Sequence, residues 1–150
     1  MAKKLVTVLL AEDNKHDILA TKRAWKQNNI NNPLHIVRDG EACLDYLYRR
    51  GAYSEPSNSP TPDILLLDLN MPKMGGLSVI KHLRADEKFR HLPIIVLTTS
   101  KLEQDRLQSY DLGVNAYIQK PIEFENFSQA MMAINMFWQL VELPEQQNHS

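Results

Sequence analysis

The chain has 150 residues, 43% hydrophobic and 23% charged, with 17 basic and 18 acidic side chains and a net charge of −1. That length suits one domain around a single core, and the near-neutral balance argues against a nucleic-acid partner, which needs a clustered positive surface. One cysteine, Cys43, excludes an internal disulfide and a thiolate metal site, so the composition fits a reducing cytoplasm.

The first apolar run, LVTVLLA (5–11), reads as a buried strand. Lysines precede it as in a signal peptide, but the run is seven residues long and stops at Glu12 and Asp13 without a cleavage site. No run approaches the ~20 residues of a membrane span, so no membrane partner is expected. From Lys15 to Asn28 a helix would place Ile18, Thr21 or Lys22, and Trp25 on one side, and LHIV (34–37) is a second strand. Residues 40–50 put Ala42, Cys43, Tyr46 and Leu47 at helical spacing, with Gly51 as the stop. The following GAYSEPSNSPTP (51–62) holds three prolines and three serines and reads as an exposed loop.

DILLLD (63–68) is the third strand, and Gly76 to Asp86 forms a helix with Leu77, Ile80 and Leu83 in line. PIIVLTTS (93–100) is the fourth strand, Leu102 to Leu112 a helix closed by Gly113, and NAYIQK (115–120) the fifth strand. In the last helix Phe124, Phe127, Met131, Ile134, Trp138 and Val141 step by three and four, making one apolar stripe. Strands alternating with helices predict an α/β fold with a parallel sheet covered on both faces. In such sheets function collects just beyond the carboxyl ends of the strands.

At those ends stand Glu12 and Asp13, then Asp68 with Asn70 two residues on, then Thr98, Thr99 and Ser100, then Lys120 and Pro121. Three carboxylates sharing one crevice repel, by about 4 kcal/mol per pair at ~4 Å and an effective dielectric of about 20. A cation must neutralise them, and an all-oxygen donor set suits Mg²⁺ better than Zn²⁺. A carboxylate beside Mg²⁺, a lysine and a threonine hydroxyl makes a phosphoryl-transfer site. Asp68 is the expected nucleophile, with the metal, Lys120 and Thr98 offsetting charge on the transferring oxygens. An ionised carboxylate needs no general base.

The pieces AEDN (11–14), LLLDLNMPKMGG (65–76), VLTTS (96–100) and AYIQKP (116–121) closely resemble the receiver domains of bacterial response regulators. Thr98 lies thirty residues after Asp68 and Lys120 fifty-two after it, which agrees with that family. The resemblance spans about residues 4–142, with 143–150 left as a flexible tail. It implies a flavodoxin-like, doubly wound five-stranded sheet of order 2-1-3-4-5 with five helices. By the same resemblance Asp68 is the phosphorylated aspartate, Glu12 and Asp13 hold Mg²⁺, and Asn70 gives it a backbone carbonyl. Thr98 and Tyr117 fall at the switch positions, Lys120 pairs with the phosphate, and the Lys120–Pro121 bond is expected to be cis. Thr99 departs from the smaller residue many receivers carry there.

Within that family the sequence is similar to stand-alone receivers paired with phytochrome-type histidine kinases, which implies such a kinase as partner. Only about eight residues follow the last helix, so the expected readout is a protein surface. Met132, Met136, Phe137 and Leu140 form a second apolar row on that helix, expected to dock a downstream protein or a second copy of the chain. The protein is then no enzyme beyond accepting a phosphoryl group and slowly hydrolysing it. A phosphorylation-independent adaptor is the alternative. A haloacid-dehalogenase-type phosphatase is disfavoured, because it wants a second acid where Asn70 stands.

Overall fold

The computed structural model describes residues 5–55 and 59–134. Met136, Phe137, Trp138, Leu140 and Val141, and with them most of the second apolar row and the tail, lie outside these residues. Ten elements alternate: β1 (Val8–Ala11), α1 (Lys15–Gln27), β2 (Leu34–Val37), α2 (Gly40–Leu47), β3 (Ile64–Asp68), α3 (Gly76–Arg84), β4 (Ile94–Thr98), α4 (Lys101–Gln108), β5 (Ala116–Gln119) and α5 (Phe124–Ala133), with a short 3-10 turn at Gly51–Tyr53. The strands form one parallel sheet in the order β2-β1-β3-β4-β5. The doubly wound, flavodoxin-like arrangement expected from the sequence is the one observed.

Side-chain alternation divides the core between the two faces of the sheet. Leu9, Ala11, Leu65, Leu67, Ile94 and Val96 pack with Cys43, Leu47, Ile80, Leu83 and Leu107 of α2, α3 and α4. Val8, Leu10, Ile64, Leu66, Ile95, Leu97 and Ile118 pack with Trp25 of α1 and with Phe127 and Met131 of α5. The Trp25 and Phe127 rings meet at 4.9 Å and join the two helices. Burial is uneven among the helices: α4 buries only Leu107. At the end of α3, Arg84 donates to the carbonyl oxygens of Phe89, Arg90, Leu92, Leu112 and Gly113. One guanidinium thus ties the α3–β4 loop to the α4–β5 loop.

Several boundaries differ from the sequence reading. β1 begins at Val8 because Thr7 is held by Asp63 instead, its N–H donating to Asp63 Oδ2 at 2.8 Å. α2 stops at Leu47, ahead of Gly51. Arg49 takes a left-handed φ of 56°, and the Arg50 and Arg49 N–H groups reach back to the Asp45 and Tyr46 carbonyls. α4 likewise ends at Gln108, short of Leu112, with Asp111 left-handed before Gly113. The described residues of the 51–62 loop are only partly exposed. Ser59 is buried and donates to the Tyr53 carbonyl at 2.8 Å, while Tyr46 donates to the Pro60 carbonyl at 2.9 Å. Ser59 and Pro60 thus fold back toward α2 and the turn after it.

Candidate functional site

Strand parity sorts the site residues before any side chain is considered. Asp68 ends β3 on the same face as Ile64 and Leu66, toward α1 and α5. Glu12 and Lys120 continue the faces of Leu10 and Ile118 on that side. Thr98 ends β4 in line with Ile94 and Val96, on the opposite face. Tyr117, paired with Val96, shares the face of Thr98 and is half-buried, and burial raises its phenol. The chain then turns tightly. A side chain at Gly76 would place its Cβ 2.6 Å from the Asp68 carbonyl oxygen, so only glycine lets α3 start against the strand end.

Lys120 occupies the centre. Its Nζ lies 2.9 Å from Glu12 Oε1, 3.1 Å from Asp17 Oδ2 and 3.2 Å from Asp68 Oδ2. Glu12 and Asp68 are almost fully buried, at 1% and 2% exposure. Burial works to lower the Lys120 ammonium, but its bonds to Glu12 and Asp17 and the charge of Asp68 outweigh that, and its net shift is upward. Burial pushes Glu12 up to about 7; the Lys120 and Asn14 hydrogen bonds oppose this and Asp68 adds to it. The Lys120–Pro121 peptide is cis.

The expected convergence of Glu12, Asp13 and Asp68 is only partly formed. Asp13 is exposed, and among the described residues no three His, Cys, Asp or Glu side chains stand close enough to hold an ion. The ammonium of Lys120 already compensates the two buried carboxylates, and Asp17 from the first turn of α1 supplies the third oxygen. Asp17 is a site residue the sequence reading missed. Its only signal was its place one helical turn beyond Asp13.

At the other side of the opening, Thr98 is buried and its hydroxyl donates to the Ser100 carbonyl at 2.7 Å while accepting from the Ser100 N–H at 3.0 Å. Glu103 bridges two loops: Oε2 accepts from Asn70 Nδ2 at 2.8 Å and Oε1 from the Thr99 N–H at 3.1 Å. Burial pushes Glu103 up, but the bonds from the Asn70 side chain and the Thr99 N–H outweigh it, and its net shift is below the ordinary value. The Asn70 N–H donates to Asp68 Oδ1 at 3.3 Å. Glu103 was also missed, although S-x-x-E at Ser100–Glu103 is a helix-start signature.

The residues present fit a hard divalent cation. Glu12 Oε1 is buried without a hydrogen-bond partner, since Lys120 Nζ is near enough to pair by charge but lies off line for a bond. Glu12, Asp13, Asp68 and the Asn70 carbonyl are all oxygen donors, with no sulfur or imidazole among them.

Comparison with known proteins agrees. Residues 8–132 match the family model described as the response regulator receiver domain. Response regulator Rcp1 of Synechocystis is 37% identical over 138 residues, covering 91% of this chain and 92% of Rcp1. A solved structure of Rcp1, in its Mn²⁺-bound form, superposes with a TM-score of 0.69 at 36% identity, covering 93% of this chain and 99% of that one. The bacteriophytochrome response regulator RtBRR superposes with a TM-score of 0.83 at 39% identity, over 93% of this chain and 84% of that one. The phosphorylated cyanobacterial phytochrome response regulator RcpA gives 0.69 at 35%, over 93% and 99%. Among the described residues no helix is long and apolar enough to cross a membrane. With the fold, the strand-end carboxylate and similarity over more than nine-tenths of the chain in agreement, the chain belongs to the response regulator receiver family of two-component signalling and is similar to the phytochrome response regulators within it.

Proposed function

We propose that Asp68 accepts a phosphoryl group from a histidine kinase of the phytochrome type, with Mg²⁺ as cofactor, in the cytoplasm. The observation that carries this reading is the approach of Lys120 Nζ to within 3.2 Å of the buried Asp68 Oδ2 at the carboxyl edge of the sheet. In the forward step an Asp68 carboxylate oxygen bonds to phosphorus as the bond from phosphorus to the kinase imidazole breaks. The electron pair leaves with that nitrogen. Hydrolysis later adds water at phosphorus, breaks the bond to Asp68 and releases inorganic phosphate, so the protein turns over nothing but itself.

Lys120 stays charged and holds one oxygen of the transferring group, and Thr98 moves its hydroxyl toward another. Glu12, Asp13, Asp68 and the Asn70 carbonyl would hold the ion, which when bound offsets the charge gathering on the phosphoryl oxygens. The Mn²⁺-bound Rcp1 and phosphorylated RcpA support both parts. Tyr117 and Thr98 share a sheet face with α4, which makes that side the readout surface for a downstream protein. Met132, exposed on α5, is the described part of the apolar row expected to dock a downstream protein or a second copy of the chain.

Intact mass after incubation with acetyl phosphate tests the reading. The parent should gain one phosphoryl group only with Mg²⁺, and Asp68→Asn should gain none. A parent that stays unlabelled both by acetyl phosphate and by phosphorylated kinase would favour the adaptor alternative.

A further inference from the structure

Ser100 and Glu103 stand at the first and fourth positions of a capping box at the start of α4, yet the box is displaced by one residue. In the regular form the N-cap side chain accepts from the N3 amide, and the N3 carboxylate accepts from the N-cap amide. Here Ser100 Oγ does accept from the Glu103 N–H, at 3.1 Å. The return bond is different. The Ser100 N–H goes to the Thr98 hydroxyl, and Glu103 takes the Thr99 N–H and the Asn70 side chain instead. The hydroxyl expected to move during phosphoryl transfer is therefore standing in the place of the capping carboxylate.

Moving that hydroxyl has a cost unless something replaces it. A helix N-terminus carries N–H groups without intrahelical partners, and losing the side-chain partner of one weakens the helix start. Glu103 is the group positioned to replace it, because its Oε1 already accepts from the adjacent Thr99 N–H at 3.1 Å and its own N–H is held by Ser100 Oγ. A shift of Oε1 by one residue, from the Thr99 N–H to the Ser100 N–H, would restore the regular box. The same shift would release the Thr99 N–H and the Asn70 amide at the opening above Asp68.

We propose that Glu103 is a positioning residue for the phosphoryl site, which holds the Thr99 N–H and Asn70 while Thr98 caps Ser100 and passes to the Ser100 N–H when Thr98 turns toward Asp68. The idea rests on the phosphoryl-acceptor reading for its purpose, though the exchange of caps is a property of the resting protein as well. The Ser100 N–H keeps a partner in both arrangements, and the donor given up in exchange is the Thr99 N–H, at an exposed residue beside the opening. A glutamate that merely capped α4 would show no dependence on Thr98.

Amide hydrogen exchange by NMR, on the full chain without phosphoryl donor, tests this in parent, Thr98→Ala, Glu103→Ala and the double variant. In Thr98→Ala the Ser100 amide should stay protected to within about threefold, because Glu103 takes it, while the Thr99 amide becomes faster. In Glu103→Ala the Ser100 amide should stay protected by the hydroxyl. In the double variant it should exchange about tenfold faster than in either single variant. Thr98→Ala with Glu103→Gln, whose amide oxygen still accepts, should recover the protection. A Ser100 amide equally fast in Thr98→Ala and in the double variant would overturn the proposal. This readout needs no phosphorylation, so an Asp68 that accepts no phosphoryl group would sink the functional reading and leave the capping result to stand or fall by itself.

Discussion

Lys120 Nζ lies 3.2 Å from Asp68 Oδ2 and holds the phosphoacceptor candidate beside a second buried carboxylate, that of Glu12. Removing the ammonium leaves two nearly buried acids facing each other. Breaking a buried pair by deleting one partner costs about 3–5 kcal/mol, and protonation of Glu12 recovers part of it. Lys120→Met is therefore expected to lose about 2–4 kcal/mol near pH ~8 without divalent ions, and less near pH ~6. Added Mg²⁺ should narrow the gap. Urea denaturation at the two pH values measures it, and an equal loss at both would contradict the account.

Glu12 is expected to set the pH response of Mg²⁺ binding. Its folded value, raised by burial to about 7, stands above the ordinary 4.5. The folded state therefore holds that proton more tightly than the unfolded state does. The stabilisation this gives is complete below about 4.5 and is lost as pH rises through about 7. Metal binding runs the opposite way, because it needs the ionised form. Mg²⁺ affinity measured by calorimetry should weaken by about tenfold between about pH 8 and about pH 6. Glu12→Gln should bind more weakly throughout and lose most of that dependence.

Gly40 positions the loop that carries Asn70. A Cβ at this first residue of α2 would overlap the Met74 carbonyl oxygen and come within 2.6 Å of Met74 Cβ, and backbone cannot move aside cheaply. The 69–75 loop would have to shift as a unit, with Lys73 already left-handed at φ 68°. Gly40→Ala is expected to cost about 1–3 kcal/mol of stability, as overpacking does. It should also reduce Mg²⁺ affinity through displacement of the Asn70 carbonyl. A variant with parental metal affinity but lowered stability would show that the loop absorbs the strain before Asn70.

Much of this architecture is legible in the sequence, because parallel strands buried on both faces leave continuous apolar runs and the polar residue ending each run marks an edge. Asp68, Glu12 and Lys120 were found that way. The strand order came from family resemblance, since the runs themselves carry no pairing information. Asp17 escaped because a carboxylate in the first turn of a helix reads as a solvated residue that suits the helix dipole. Arg49 ended α2 where Gly51 was expected, since a left-handed arginine leaves no signature in composition. Thr98 was found, but its resting bond to Ser100 was not: the partner is a backbone group, and backbone groups are the same at every position.

The Arg84 clasp has a consequence for how far a signal can travel. It fixes the chain at Leu112 and Gly113, past the C-terminal end of α4, and Leu107, the one buried residue of the helix, lies near that same end. A displacement of α4 that broke the Glu103 bonds at its start would be a swing about the other end, with the clasp as fulcrum. A helix of eight residues is ~12 Å long, so a ~10° rotation moves its far end by ~2 Å and its near end hardly at all. Leu102 rides at the tip of that arm and Tyr110 close to the pivot, both exposed. A partner that gripped Leu102 would then feel the full stroke, and one that gripped Tyr110 almost none.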